Sequence, residues 1–409
     1  MEIRKTKDLK ILLSKVPEVT VFFWIIKVLC TTVGETLSDF LNVNLGFGLA
    51  LTTIIMGIAF FIVLYFQFRA TKYIPGVYWL TVVLISVFGT LVTDNLTDGL
   101  GVPLEISTVV FGVLLGLTFL FWYLSEKTLS IHSIFTRKRE MFYWLTILFT
   151  FALGTAVGDL YSEQLGLGYL RTGLTVTLII ACVYLAWKFL KLDAVLGFWI
   201  AYIFTRPLGA SFGDYLSQPK EYGGLGLGAT VTSIIFLIPI LAIVIFLAVT
   251  KFDISQKGET SLNTVREAAT GQVNKNKSNV IAQTIAVICI FMVVGVGGYI
   301  WCSNNIVPEP SSSQITLSGQ LNDFITIEND MLNYVNSNKL ALAKTRADDL
   351  ERSWDKSAPQ LKKIDKTNWT KIDGTIDDVL SSVRSRNADP VKCKTTLNNS
   401  LSTLDSANK

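Results

Sequence analysis

Residues 22–48 read FFWIIKVLCTTVGETLSDFLNVNLGFG, and this stretch decides the fold because the chain repeats its pattern three more times. An aromatic–Trp pair is followed ten residues after the Trp by Gly, and five residues after that by Asp. The copies are Phe23-Trp24/Gly34/Asp39, Tyr78-Trp79/Gly89/Asp94, Tyr143-Trp144/Gly154/Asp159 and Phe198-Trp199/Gly209/Asp214. The residue before each Asp is small: Ser38, Thr93, Gly158 and Gly213. A Leu-Gly pair follows, as Leu45-Gly46, Leu100-Gly101 and Leu165-Gly166. The fourth copy has five extra residues, near Gln218 to Tyr222, before Leu225-Gly226. The Trp residues recur after 55, 65 and 55 residues. Self-similarity at such a period marks a repeat architecture in which each unit buries its apolar face against its neighbours.

The chain has 409 residues, of which 50% are hydrophobic and only 17% charged. The apolar residues concentrate between positions 17 and 301, and the rest is polar. Each repeat holds two apolar stretches of about 20 residues, the length that crosses a bilayer as a helix. The approximate spans are 18–41 and 45–67, 76–96 and 100–123, 141–160 and 165–187, then 195–215 and 225–250. A ninth, about 280–301, is flanked by Lys275 and Lys277. The fold class expected is therefore an all-α membrane protein. Its repeats cover about 17–70, 74–126, 139–191 and 194–250. A segment 1–16 precedes them, a polar linker 251–279 follows, and residues 302–409 form a soluble helical domain.

The opening MEIRKTKDLK lacks the apolar core and cleavage site of a signal peptide. One His (His132) and no Cys-x-x-Cys argue against a zinc or iron–sulfur site, and no cofactor is expected. A net charge of +4 is too small to argue for nucleic acid. The lipid bilayer is the expected partner of the repeats.

Orientation follows from Lys and Arg, which accumulate in cytoplasmic loops. Arg4, Lys5, Lys7, Lys10 and Lys15 precede the first helix. Arg69, Lys72, Lys127, Arg137, Lys138, Arg139, Lys188 and Lys191 lie between one repeat and the next. The connections inside each repeat carry Asp98, Glu163 and Glu221, with Arg171 and Lys220 as the nearby exceptions. The N-terminus is thus expected in the bacterial cytoplasm, the Asp motifs toward the outer half of the inner membrane, and residues 302–409 outside. Two helices per repeat make the copies parallel, around an axis along the membrane normal, unlike inverted transporter repeats.

Gly and the small residue four positions later share one helix face, so a neighbouring backbone can approach closely. The Asp follows that small residue, near the negative end of a helix and at membrane depth. Both places disfavour a carboxylate. Three compensations are available: a bound cation or proton, pairing with Lys27 or Arg206 inside the same helices, or capping of a local turn by each Asp. Glu35 follows Gly34 where the other copies have Thr90, Thr155 and Ala210. Arg206 matches Thr31, Ser86 and Phe151, and Lys27 matches Val82, Ile147 and Tyr202. Lys27 and Arg206 stand against Glu35 and the four Asp, a surplus of three negative charges that attracts cations. Arg206 is expected to pair with Glu35 or an Asp, Lys27 to snorkel, Pro207 to kink its helix, and the Trp residues to anchor or pack.

The first copy and its three successors closely resemble a family of bacterial membrane proteins built from four copies of a repeat of unknown function. The resemblance covers about residues 17–250 and implies an integral cytoplasmic-membrane protein. It supplies no substrate.

Beyond a Pro/Ser stretch (PEPSSS), Leu340, Ala343, Ala347, Leu350 and Trp354 share a helical face, as do Trp369, Ile372, Ile376, Val379 and Val383. Leu317, Leu321, Phe324 and Met331 fit a first helix and residues 388–406 a fourth, so a small bundle is expected. A Cys302–Cys393 disulfide is a further possibility for an external domain. Cys30, Cys182 and Cys289 read as small apolar helix residues.

Two functions fit. One is a transporter or channel for a cation, with Asp39, Asp94, Asp159, Asp214 and Glu35 holding the ion. In it Arg206 and Lys27 tune the site, and Gly34, Gly89, Gly154, Gly209 and Pro207 pack or hinge; the same acids are the candidates for any metal. The other is a membrane scaffold or sensor whose outer bundle binds a ligand or protein. No Ser/His pair, His-Glu-x-x-His or phosphate loop is present, so an enzyme is not expected.

Overall fold

The computed structural model describes residues 15–45, 47–100, 102–218, 220, 223–255, 276–306, 316–385 and 388–409. Arg4, Lys5, Lys7, Lys10, Gly46, Gly101, Glu221, Lys275 and most of the linker lie outside the described residues. Eight long helices come from the repeats: α1 (Val21–Asp39), α2 (Leu49–Arg69), α3 (Pro75–Asp94), α4 (Leu104–Glu126), α5 (Arg137–Asp159), α6 (Tyr169–Phe189), α7 (Ala194–Ser217) and α8 (Gly228–Thr250). A ninth, α9, spans Asn276–Asn305. Among the described residues all nine are long and apolar enough to cross a membrane, and there is no strand. The protein is an all-α, multi-pass membrane protein.

Helix starts follow local chemistry. Thr20 and Thr136 cap α1 and α5 by accepting backbone N–H bonds from Phe23 and Arg139. Pro75 opens α3, and Asp193 caps α7 by accepting from Val195 and Leu196. Gly48 and Gly168 take φ of 75° and 82° just before α2 and α6, where the chain reverses.

The odd helices form an inner ring: α1 touches α3, α3 touches α5, α5 touches α7, and α7 returns to α1. Each even helix packs outside the next repeat's inner helix, with α2 on α3, α4 on α5, α6 on α7, and α8 closing onto α1. In the most apolar stretch of each inner helix 61–67% of residues are buried, against 22–28% in the outer helices. The outer helices therefore face lipid, and the inner ring encloses an axis.

The ends of the inner helices differ from expectation. In the first three copies the α-helix runs into a π-helical turn directly after Asp: Phe40–Asn44, Asn95–Gly99 and Leu160–Gln164. The second helices begin at Leu49, Leu104 and Tyr169, about four residues later than the Leu-Gly pairs predict. Leu45 and Phe47 N–H still donate back to Phe40 O and Leu41 O, and Leu165 and Leu167 N–H to Leu160 O and Tyr161 O, so this stretch closes the first helix and does not start the second. Each Asp is thus not at the terminal carbonyls of its helix. In the fourth copy Leu225 N–H and Leu227 N–H donate to Tyr215 O and Leu216 O in the same way.

Helix α9 runs along the outside. Near its start Gln283 accepts from the Asp193 N–H, and near its end Gly295 O accepts from the Tyr161 hydroxyl at 2.6 Å. It therefore ends on the aspartate side of the core. There the C-terminal bundle stands: α10 (Asn322–Asn336), α11 (Leu340–Ile364), α12 (Lys366–Arg384) and α13 (Pro390–Ala407). These pack in a closed cycle around Leu321, Phe324, Met331, Leu350, Trp354 and Ile376. Cys302 is buried against the repeats and Cys393 in the bundle core, and both are free thiols. The Cys302–Cys393 bridge is not formed, because each thiol fills its own apolar cluster.

Candidate functional site

Every element of the repeat makes one contact four times around the ring. The aromatic residue of each copy packs on the Trp of the next, as Phe23–Trp79, Tyr78–Trp144, Tyr143–Trp199 and Phe198–Trp24, with ring centroids 5.5–6.2 Å apart. The Trp residues are thus packing elements between copies. Trp79, Trp144 and Trp199 are buried. The motif Gly works in the same way. A Cβ on Gly34 would overlap Ser86, and one on Gly89 would stand 2.7 Å from Phe151 Cβ. One on Gly154 would overlap Arg206, and one on Gly209 would overlap Thr31. Each partner sits three residues before the next copy's Gly, so one small-residue contact closes the ring.

Residues four apart lie on one helix face. Read from aromatic to Asp, the inner helices carry the stripes Phe23-Lys27-Thr31-Glu35-Asp39, Tyr78-Val82-Ser86-Thr90-Asp94, Tyr143-Ile147-Phe151-Thr155-Asp159 and Phe198-Tyr202-Arg206-Ala210-Asp214. Cross-ring contacts show that these stripes face the axis. Arg206 Nε donates to Thr155 Oγ1 at 3.1 Å, and Nη1 donates to Thr31 O at 3.2 Å. Its Nη2 donates to Glu35 Oε2, Thr90 Oγ1 and Thr155 Oγ1. One guanidinium from the fourth copy thereby binds all three others. It is fully buried, and Glu35 is nearly so. The expected pairing of Arg206 is with Glu35, and this bidirectional anchor closes the axis at its middle.

Lys27 lies on the far side of Arg206 from the aspartates. It does not snorkel: it is 1% exposed. Its Nζ stands 3.8 Å from the Phe151 ring centroid and 4.2 Å from that of Tyr202. Snorkelling fails because Lys27 is on the axis face, where rings and not headgroups surround it; cation–π contact takes its place. Below it the Tyr78 and Tyr143 hydroxyls bond each other at 2.6 Å. Pro207 does not end α7, which continues to Ser217. Its ring rests against Gly154 and Gly158, where no side chain obstructs it.

Asp39, Asp94, Asp159 and Asp214 form the layer one turn beyond Glu35, Thr90, Thr155 and Ala210. Asp214 is 5% exposed and the others are half-buried. They interact electrostatically around the ring, Asp39 with Asp94 and Asp214, and Asp159 with Asp94 and Asp214. Asp39, Asp94 and Asp159 precede the π turns, yet none of their side chains caps one. The local-capping account of these three therefore fails. Among the described residues no group of three His, Cys, Asp or Glu side chains is spaced to hold a metal ion. The layer is a set of four carboxylates at one register of the inner ring, not clustered at metal-ligand spacing. Asp98 and Glu163 stand at its rim, within electrostatic reach of each other and of Glu35.

Sequence reasoning singled out the Asp, Glu35, Arg206 and Lys27, but not Thr90 and Thr155 as the groups that hold Arg206, nor Asp98 and Glu163 as a rim. The readable signal was the four-residue stripe from the aromatic to the Asp.

A pseudo-fourfold ring of parallel two-helix units around a polar axis defines an integral membrane repeat protein. The chain belongs to the family described as a Repeat of Unknown Function (DUF347), which matches residues 22–73, 77–128, 142–192 and 197–252. No curated protein and no solved structure gives a significant match to the chain.

Proposed function

We propose that this protein is a cation transporter or channel of a bacterial cytoplasmic membrane, not an enzyme. The observation that carries this reading is the convergence of four carboxylates on one axis, without caps on the turns that follow. A ring of like charges on one axis raises the local concentration of cations. Hydrated ions gather there without the carboxylates closing on a bare metal. The Arg206–Glu35 pair and its threonine partners bar the way one turn further in. Passage requires that this layer rearrange, and the Gly contacts leave the helices close enough to slide. The N-terminus is cytoplasmic in this reading, since Lys72, Lys127, Arg139, Lys188 and Lys191 gather at the end opposite the aspartates.

The test is flux in liposomes holding the full-length protein. Potassium, sodium, magnesium and proton fluxes are followed with ion-sensitive dyes for the parent and for Asp39→Asn, Asp94→Asn, Asp159→Asn and Asp214→Asn. At least one cation flux should fall about tenfold or more in two or more variants, as losing a charged ligand of an ion site does. Unchanged flux in all four variants removes the site.

A further inference from the structure

The bundle does not hang free of the core. Helix α11 touches the π turn Leu160–Gln164, and α12 touches the turns Phe40–Asn44 and Asn95–Gly99. These three segments directly follow Asp159, Asp39 and Asp94, so the bundle rests on the acidic mouth itself. Ser381 Oγ of α12 lies 3.8 Å from where a Cβ on Gly48 would stand.

Charges across this seam are of both signs. Two bundle acids lie within electrostatic range of core acids, Glu351 of Asp39 and Asp373 of Asp98, although Arg384 pairs with Glu351 at 2.6 Å. Like charges facing each other oppose docking. Lys362, near the end of α11, lies within electrostatic range of both Asp98 and Glu163, beyond direct ion-pair distance. Its Nζ stands 3.7 Å from the Trp369 ring centroid, and that ring is buried and stacked on Trp354. The ammonium is therefore placed at the seam by the bundle's own core, and its attraction to the rim acids offsets the repulsion between the carboxylates.

We propose that the bundle is a lid on the acidic mouth, seated through α11 and α12 and held by Lys362. A cation that reaches Asp98 and Glu163 competes with Lys362 and loosens the lid. The seat stands on its own geometry; its role as a gate rests on the cation-transport reading above.

The experiment uses the full chain in nanodiscs and liposomes, with Cys182→Ser and Cys289→Ser removing the exposed native thiols. Gly48→Cys with Ser381→Cys is oxidised mildly, and the bridge is quantified by mass spectrometry. Because Gly48 has φ of 75°, carbodiimide coupling of Lys362 to Asp98 or Glu163 in the otherwise unsubstituted chain gives a second readout free of backbone strain. The bridge should form in the parent and persist with Lys362→Arg. With Lys362→Glu its yield should fall about fivefold, in the range that losing an exposed or half-exposed charge pair produces. Magnesium chloride should lower the yield more than sodium chloride of equal ionic strength. Locking the bridge should stop flux, and reductant should restore it. A bridge yield unchanged by Lys362→Glu, or the absence of both bridge and amide, overturns the proposal. A bridge that depends on Lys362 in a protein that passes no cation supports the seat and refutes the transport reading instead.

Discussion

One helical turn separates two layers of the axis. In the outer layer all four copies contribute the same residue, Asp39, Asp94, Asp159 and Asp214. In the inner layer the copies contribute Glu35, Thr90, Thr155 and Ala210, and Arg206 from the turn below reaches across all of them. In the outer layer four equal side chains stand at one register, three of them half-buried and Asp214 buried. The inner layer meets at the axis, where there is space for one large group. Fourfold sameness is kept where no single side chain has to reach across the axis. Where the centre is filled, one copy supplies the filling, a second supplies its counter-charge, and the others supply hydroxyls.

Removing the filling breaks this contrast most severely. Arg206→Ala leaves Glu35 buried without its cation and three oxygen acceptors without their donor. Loss of about 3–5 kcal/mol is expected, as for breaking a buried ion pair from one side. Thermal unfolding in detergent measures it. Arg206→Ser with Glu35→Thr rebuilds the composition of the second copy and should recover most of the loss. A double variant no better than Arg206→Ala would mean that the layer is held by something other than its charge pair.

The bundle offers a comparison outside the membrane. Glu328 is fully buried, and its Oε1 accepts from Ser400 Oγ at 2.7 Å while Oε2 has no partner. Burial pushes its pKa up to about 8, with the Ser400 bond opposing that shift. Between about pH 4.5 and 8 the folded bundle then holds a proton that the unfolded chain releases. Stability is fully present below the lower value and falls as pH rises through the upper one, by a few kcal/mol in total. Asp373, raised by burial to about 6 against the Trp354 bond, adds in the same direction over a narrower window. Trp fluorescence of the full chain during denaturation should show the slope, and Glu328→Gln should flatten most of it. A half-satisfied buried acid thus stays protonated at neutral pH.

The ring contacts come next in size. Gly34→Ala and Gly209→Ala each place a methyl within a neighbouring Ser86 or Thr31. The Ser86 carbonyl carbon and the Thr32 nitrogen stand just behind, at 3.1 and 2.9 Å, so the backbone must give. About 1–3 kcal/mol is expected from each, as for overpacking elsewhere. Gly76→Ala, with open space around it, is the control. Equal unfolding temperatures for Gly76→Ala and Gly209→Ala would show that the copies are not locked where the motif says.

The motif positions explain how much could be read from the sequence. Trp and Gly hold a fixed spacing because each makes the same contact with the next copy, and a contact made four times constrains four stretches of sequence alike. Helix count, repeat boundaries and the bundle faces were legible for the same reason: periodicity reports burial. The identity of the axis face was not. Nothing in a single copy says which face looks inward, and only the ring fixes that Phe23, Lys27, Thr31, Glu35 and Asp39 lie along it. Lys27 was misread for this reason, since a lysine near a helix start ordinarily reaches headgroups. The π turns were also hidden, because the chain after Asp has no proline or distinctive composition to announce them. The seat of the bundle joins residues more than 250 positions apart, such as Asp98 and Lys362, and no local pattern marks such a pair.

The smallest effect is the most telling, because its sign is opposed to intuition about buried charge. Each ring aspartate spends free energy on repulsion from its neighbours and receives no cap bond at a π turn. Asp94→Asn removes one charge from that set and keeps the shape. Stability in low-salt detergent should rise by about 0.5–1 kcal/mol, the scale of exposed and half-exposed charge interactions, and the gain should shrink as salt screens the ring. Glu35→Gln deletes the same charge one turn away and should destabilise, because Arg206 then loses its anion. Two carboxylates on adjacent turns of one ring would thus respond to the same chemical change in opposite directions. If Asp94→Asn and Glu35→Gln both destabilise, the aspartates are structural groups with partners of their own, and their layer is not a cation site.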